Sequence, residues 1–184
     1  MGSKTTQSID LAESSALAKT AMAKLIRCHS EAERTNEWTF FVDEMYTPDC
    51  VYTCEYAGTM LVQANGIDEI KATHYGRDMA HGWEQWTFPY ISTYTNEHGQ
   101  GITHWMNRGP GRREDNSYFE TPGVSFMDFN SEGKIIKQLD LFDLAHQMHL
   151  CDELEKAGLL SSALKENWVT PMEAKLMSLL TDVH

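Results

Sequence analysis

The sequence predicts an α+β protein in which helices at both ends of the chain enclose an antiparallel sheet. Near the N-terminus, apolar residues recur with helical spacing and form one stripe, which runs through Leu17, Ala21, Leu25, Cys28 and Ala32. From residue 84 to residue 143 the pattern changes to β-rich segments separated by short polar turns, which predicts three consecutive hairpins in a meander. After residue 144 the chain becomes helical again.

The elements that precede the extension can be placed in chain order. Helices are predicted over 17–34, 37–45 and 66–79. Between the second and third helices, a short hairpin is predicted from a strand over 50–56, a turn near Gly58 and a return over 59–64. The strands of the meander are predicted over 84–95, 102–109, 117–129 and 133–143.

The 184 residues suffice for one domain with a substantial core and an extension. The expected organisation is a disordered segment over 1–12, a single domain over 13–145 and a helical extension over 146–184. The extension begins within a helix predicted over 144–157 with Gly158 as its C-cap. Its last helix is predicted to begin with Thr170 as N-cap and Pro171 in the first helical position.

Composition and charge restrict the class of protein. Hydrophobic residues make up 41% of the chain, which is typical of a soluble globular protein, and the net charge of −12 makes nucleic acid a poor partner. No stretch approaches the roughly 18 apolar residues of a membrane span, and the polar N-terminus lacks the apolar core of a signal peptide. The four cysteines are scattered, which favours reduced thiols in a cytoplasmic protein.

The segment "GKIIKQLDLFD" (133–143) places a carboxylate on an apolar strand. Because alternate residues of a strand point to opposite faces, one face should carry Ile136, Gln138, Asp140 and Phe142. The other face should carry Lys137, Leu139, Leu141 and Asp143, together with Ile135. Asp140 therefore shares a face with Phe142, which raises the question of what this carboxylate faces.

Three segments resemble the nuclear transport factor 2-like superfamily: "EWTFFVDEMYTPDCVYT" (37–53), "GIDEI" (66–70) and "GVSFMDFNSEGKIIKQLDLFD" (123–143). This superfamily includes ketosteroid isomerases, scytalone dehydratases, limonene epoxide hydrolases and SnoaL-type polyketide cyclases. The resemblance covers roughly residues 15–145. It implies a cone, in which a curved sheet wraps around an apolar pocket that the N-terminal helices close.

The resemblance also assigns positions within that pocket. It implies that Gln138, Asp140 and Phe142 lie on the concave face of the sheet, and that Ser125 stands where the isomerases hold an oxyanion-stabilising acid. The position of the isomerase general base falls near Cys54, and that of its phenolic donor falls near His29. The isomerase machinery is therefore not reproduced in this sequence.

Asp140, His29, Glu33, His81 and His104 are the candidate catalytic residues. Asp140 is expected to act as a general base or to orient a histidine, since a buried carboxylate needs a partner. His29 and Glu33 stand four residues apart and share a helical face, and in dehydratases and dehydrochlorinases of the superfamily a carboxylate near this helix end works with a histidine. His81 is expected at the pocket mouth.

Alternation leaves two possibilities open for the strand that contains His104. Either Ile102, His104, Met106 and Arg108 face the pocket, in which case Arg108 would hold an anionic group of the substrate, or Thr103, Trp105 and Asn107 face it. His74 follows two isoleucines on a helix face and is interpreted as a core histidine rather than a catalyst.

Aromatic residues are dense between positions 83 and 94, where the chain has Trp83, Trp86, Phe88, Tyr90 and Tyr94. Core packing accounts for most of them, and the remainder would line a pocket for an aromatic or polycyclic substrate. Trp86, Tyr90, Phe142 and Ser125 are expected to contact the substrate. Tyr52 and Tyr90 would donate phenolic hydrogen bonds to its oxygen atoms.

The sequence favours a lyase that needs no metal and no organic cofactor. His146 and His149 have helical spacing but lack further ligands, and no glycine-rich phosphate loop precedes a helix. Dehydration and retro-aldol release of formaldehyde from a lignin-derived diaryl compound both fit this machinery. Isomerases, cyclases and epoxide hydrolases are the nearest alternatives, and a non-catalytic module that binds a ligand or a protein partner is the other.

The chain is also expected to form a homodimer. Ile135, Leu139 and Leu141 would give the convex face of the sheet a large apolar area. The helix that begins at Thr170 is expected to extend that interface.

Overall fold

A computed structural model describes residues 11–56 and 60–181. The segment predicted to be disordered lies outside these ranges except for Leu11 and Ala12, which are helical, and the predicted turn at Gly58 also lies outside them. Within the described ranges, no helix combines the length and the apolar character that crossing a membrane requires.

Six α-helices are present in the described ranges: α1 (Leu11–Thr35), α2 (Trp38–Met45), α3 (Ile67–Ala72), α4 (Leu144–Lys156), α5 (Ser162–Leu164) and α6 (Thr170–Thr181). Helix α1 starts earlier than predicted. Its first residues are largely exposed and carry no apolar stripe, so periodicity could not detect them. Gly158 follows the end of α4 with φ +69°, which is the left-handed conformation predicted for it.

The helix predicted over 66–79 is divided. After α3 the chain forms a π-helical turn over His74–Asp78, in which the Asp78 N–H donates to the carbonyl oxygen of Thr73 over 2.9 Å. A β-carbon at Gly76 would lie 1.8 Å from the carbonyl oxygen of Lys71, so this tight turn requires glycine. A periodicity of 3.6 residues cannot detect such a turn, which often marks a functional site.

The N-cap predicted at Thr170 is wrong. A second π-helical turn, Lys165–Val169, joins α5 to α6, and Thr170 has helical dihedral angles of φ −60° and ψ −45°. The helical run begins instead at Ser161, whose hydroxyl oxygen accepts a hydrogen bond from the Leu164 N–H. A capping sequence inside a longer helical run has no free N–H groups to satisfy.

In the part of the chain that the structure describes, the sheet has six strands: β1 (Tyr46–Tyr56), β2 (Met60–Asn65), β3 (Tyr90–Thr95), β4 (Gln100–Arg108), β5 (Glu120–Phe129) and β6 (Ile135–Phe142). Their order is β2-β1-β6-β5-β4-β3. The predicted hairpins are confirmed, but β1 pairs with β6 in parallel, so the sheet is mixed. Strand β3 begins later than predicted, after Pro89, which has no backbone N–H to donate.

A bulge in β6 changes the predicted alternation. Phe129 pairs with Ile135 while Asp128 pairs with Lys137, so Ile136 is an extra residue. As a result Ile135 lies in the core and Ile136 is exposed, which reverses the faces predicted for these two residues. Beyond the bulge the alternation holds, with Gln138 and Asp140 both buried.

The C-terminal helices pack against the loop that precedes β3. Their contacts form an apolar cluster of Trp86, Phe119, Leu150, Cys151, Leu154, Leu164 and Val169. A β-carbon at Gly82 would lie 2.6 Å from the Cα of Leu164, so the absence of a side chain allows the two backbones to approach. This approach brings Trp168 within 5.5 Å of Trp83, measured between ring centroids.

Candidate active site

A cavity of about 100 Å³ lies between the concave face of the sheet and the helices α1 and α2. Its walls are mainly aromatic and include Trp38, Phe41, Tyr52, Tyr75, Trp83, Phe88, Tyr90, Trp105, Phe142 and Trp168. Both π-helical turns contribute to it, through His74 and Tyr75 from the first and Trp168 from the second. Its walls therefore combine the sheet, the N-terminal helices and the C-terminal extension.

Asp140 lies at the cavity with its carboxylate held by two neutral donors. The Tyr52 hydroxyl donates to Oδ2 over 2.9 Å, and the Gln138 side-chain amide donates to Oδ1 over 2.8 Å. Asp140 is 6% exposed, and no lysine or arginine of the described residues forms an ion pair with it. Each carboxylate oxygen keeps a second lone pair that can accept a proton from a ligand.

Gln138 orients this carboxylate and is itself held in place. The Tyr46 hydroxyl donates to Gln138 Oε1 over 2.7 Å, which leaves the amide nitrogen to donate to Asp140. Burial raises the pKa of Tyr46 and of the neighbouring Tyr75 above the ordinary range, so both phenols stay protonated at neutral pH. The sequence placed Gln138 on the correct face without assigning it this role.

His29 lines the cavity, and Glu33 lies next to it without being one of the lining residues. The imidazole packs among the rings of Trp38, Phe41 and Tyr90, at centroid distances of 5.2, 5.8 and 4.5 Å. This burial lowers the pKa of His29 to about 4, so the ring is neutral at pH 7. His29 Nδ1 lies 4.0 Å from Glu33 Oε2, which is too long for a hydrogen bond.

Glu33 lies behind His29 and also anchors the strand region. Its Oε2 accepts a hydrogen bond from the Phe88 N–H over 3.2 Å. Burial raises the pKa of the Glu33 carboxyl, and the Phe88 N–H and the charge of Arg108 only partly oppose that increase. With His29 neutral, the pair is not a salt bridge at neutral pH.

His74 lines the cavity, whereas the sequence predicts a core histidine at this position. Its ring stacks on Tyr52 with a centroid distance of 4.7 Å and an interplanar angle of 17°. Burial lowers the pKa of His74, although the carboxylates of Asp140 and Asp78 oppose the change. The π-helical turn that directs this side chain to the cavity leaves no recognisable pattern in the sequence.

Strand β4 faces the cavity with Thr103, Trp105 and Asn107. His104 and Arg108 therefore point to the other face of the sheet, and neither contributes to the cavity. Arg108 forms an ion pair with Glu120 over 2.7 Å there. Of the two orientations that alternation left open for this strand, the fold adopts the second, and the site roles predicted for His104 and Arg108 are wrong.

Two further candidates lie away from the cavity. His81 is exposed in the loop before β3 and is not among the lining residues. Trp86 packs into the C-terminal cluster beside Phe119 and Leu154 and helps to hold the extension in place. The other candidates for substrate contact, Tyr52, Tyr90, Ser125 and Phe142, all line the cavity. The Tyr52 hydroxyl donates to Asp140 rather than to a substrate oxygen, so the role predicted for it is wrong.

No protein-family model matches this chain, and no curated protein matches it. Solved structures do. The BvnE pinacolase from Penicillium brevicompactum aligns with a TM-score of 0.57 at 12% identity, covering 77% of this chain and 99% of that one. An NTF2-like protein from Burkholderia thailandensis aligns with a TM-score of 0.53 at 15% identity, covering 68% and 93%.

A candidate SnoaL-like polyketide cyclase from Shewanella putrefaciens aligns with a TM-score of 0.52 at 14% identity, covering 70% of this chain and 84% of that one. The chain has the nuclear transport factor 2-like fold. The cone expected from the resemblance is thereby confirmed, with the cavity on the concave side of the sheet. Because one nuclear transport factor 2-like fold supports many reactions, the function has to be argued from the side chains of the cavity.

Proposed function

We propose that this protein is a cofactor-independent lyase that acts on a hydrophobic aromatic or cyclic small molecule in the cavity. The observation that carries the proposal is the carboxylate of Asp140, which is buried, faces aromatic walls and is held by two neutral donors without a cation. A carboxylate in such surroundings is a suitable general base for a C–H or O–H group of a bound ligand.

The proposed elimination needs one proton acceptor and one group that holds the departing oxygen. In a dehydration, Asp140 takes the proton from carbon, the electron pair forms the double bond, and the C–O bond breaks. The protonated Asp140 then returns the proton to the departing hydroxide, so that water is released. Neutral His29 stabilises the departing oxygen by donating a hydrogen bond rather than a proton.

A retro-aldol cleavage would use the same groups. Asp140 removes the proton from a hydroxyl group, the adjacent C–C bond breaks to release an aldehyde, and the proton returns from Asp140 to the carbon that keeps the electron pair. The aromatic walls exclude water, which strengthens the electrostatic contacts of both reactions. The structures with this fold include a pinacolase, which supports a catalytic use of the cavity.

The experiment is a substrate screen on protein dialysed against a chelator. Aromatic β-hydroxy ketones, aryl 1,3-diols and cyclic alcohols are added, binding is followed by the fluorescence of the tryptophans that line the cavity, and products by mass spectrometry. We expect turnover without added metal. Binding without turnover of any compound would favour a non-catalytic binding module, and rearranged products would favour an isomerase or cyclase. Activity that returns only with zinc or iron would overturn the metal-free mechanism and implicate His146 and His149.

We also propose that the protein is a homodimer that associates through the outer face of the sheet. Tyr94, Ile102, Phe126 and Leu139 are paired across adjacent strands in one row, and Tyr94 and Phe126 are 62% and 42% exposed. Ile135 does not belong to this surface, because the bulge places it in the core.

Sedimentation tests this association. The wild-type protein should sediment as a dimer at micromolar concentration, and Phe126→Asp should convert it to a monomer of 21.0 kDa by placing a charge in the apolar interface. Phe40→Asp, at an exposed phenylalanine of α2, is the matched control and should leave the dimer intact. A wild-type monomer at that concentration would contradict the proposal.

A further inference from the structure

Thr103 has a buried hydroxyl group at the cavity. The residue lies in the middle of β4, is 1% exposed and lines the cavity. Among the described residues, no group forms a hydrogen bond with its Oγ1. Because a buried polar group is normally hydrogen-bonded, an unpaired hydroxyl at the wall of a cavity calls for a specific explanation.

Ser125 lies directly opposite Thr103 in the pairing of β4 with β5. Its Oγ accepts a hydrogen bond from the indole N–H of Trp105 over 2.8 Å. Because a hydroxyl group has one donor and two acceptor positions, this contact leaves the hydrogen of Ser125 available to a ligand. The Trp105 ring can lie there because Gly123 has no side chain, since a β-carbon at Gly123 would be 2.2 Å from the ring.

The same cross-strand row continues to the proposed base. Ser125 pairs with Asp140 on β6, so Thr103, Ser125 and Asp140 occupy three adjacent strands on the concave face. Adjacent strands are about 4.8 Å apart, so the row spans about 10 Å, which is the length of a small aromatic molecule. The cavity wall beside this row carries the aromatic rings of Trp105 and Phe142.

We propose that Thr103 and Ser125 form a two-hydroxyl subsite that binds an oxygen substituent of the ligand, and that Thr103 thereby selects oxygenated over purely hydrocarbon ligands. The substrate class would be an aromatic or bicyclic compound with a hydroxyl or carbonyl group within about one strand spacing of the atom that faces Asp140. The inference rests on the proposed function only in taking this cavity as the ligand site.

Two substitutions at Thr103 test the subsite. Thr103→Val removes the hydroxyl but keeps the volume and the β-branched shape that suits a strand, and Thr103→Ser keeps the hydroxyl. The probes are 1-indanol, 1-indanone and indane, which share one bicyclic skeleton. Their dissociation constants are measured from the indole N–H signals in proton–nitrogen NMR spectra, so the result does not depend on turnover.

We expect the wild type and Thr103→Ser to bind the two oxygenated probes about 3- to 10-fold more tightly than indane, and Thr103→Val to lose that preference. The unliganded Thr103→Val protein should melt at the wild-type temperature or above, because an unpaired hydroxyl has been removed. The subsite would be overturned if the wild type bound all three probes with equal affinity, or if it did not bind the two oxygenated probes. A lower melting temperature or loss of folding in Thr103→Val would also overturn it, by showing that the hydroxyl has a structural role.

Discussion

Asp140→Asn should lower turnover by about 10²-fold or more while the protein still folds and binds its ligand. The amide has the shape of the carboxylate, and its oxygen can still accept the hydrogen bond of Tyr52. Its NH2 group replaces the oxygen that accepts from Gln138, so the Gln138 amide has to turn over, with its oxygen accepting from the new NH2 group and its nitrogen donating to the Tyr46 hydroxyl. It cannot take a proton from the substrate, and the elimination then has no base. Single-turnover kinetics on a substrate from the screen, together with tryptophan fluorescence titration, would separate the loss of chemistry from any loss of binding.

The matched control is Asp128→Asn, which makes the same change on β5. Asp128 accepts a hydrogen bond from Gln100 and lies outside the cavity, so this variant should turn over at close to the wild-type rate. Wild-type turnover in Asp140→Asn would remove Asp140 from the mechanism and leave His29, His74 and Asp78 as the remaining bases in the cavity wall.

Acidification should destabilise the wild-type protein more than a His29→Phe variant, by about 3 kcal/mol between pH 6.5 and pH 4. Burial lowers the pKa of His29 to about 4 in the folded state, against about 6.5 in an unfolded chain. Above pH 6.5 the imidazole is neutral in both states and has no effect. Below it, the unfolded chain gains a proton that the folded protein does not, so the free energy of unfolding falls until about pH 4.

Urea unfolding at intervals from pH 8 to pH 4 measures this difference. Phenylalanine keeps an aromatic ring between Trp38 and Tyr90, and the comparison at pH 8 corrects for any change in packing. Burial raises the pKa of Glu33, so its contribution has the opposite sign: the folded state loses stability as the pH rises above about 4.5. Glu33 is present in both proteins, so its contribution cancels in the comparison. If the free energy of unfolding of the two proteins changed with pH in parallel, the His29 ring would not be buried in its neutral form.

Local patterns in the sequence determined most of the fold. The apolar stripe of α1 and the turns between the strands of the meander are short-range features, and the corresponding helix and hairpins are present. The alternation of β6 was sufficient to place Gln138, Asp140 and Phe142 on the same face, and all three line the cavity. Each of these features depends on residues a few positions apart, which periodicity describes directly.

Other features depended on contacts between residues distant in the chain. The parallel pairing of β1 with β6 brings together segments separated by the whole meander, and no local pattern specifies it. The bulge at Ile136 is a property of how β5 and β6 pair, so alternation along β6 alone gave the wrong faces for Ile135 and Ile136. The packing of the C-terminal extension around Trp86 is likewise a contact between distant segments, so no local pattern in the sequence predicts it.

The candidate site shows the same division. Strand alternation, helical spacing and the family resemblance together identified Asp140, His29 and Glu33 as candidate groups. The tertiary structure decided which groups meet: it put Thr103 rather than His104 in the cavity wall, and a π-helical turn brought His74 onto Tyr52. Both faces of β4 carry apolar and polar residues, so only the packing of α1 and α2 on one side of the sheet distinguishes the inner face from the outer one.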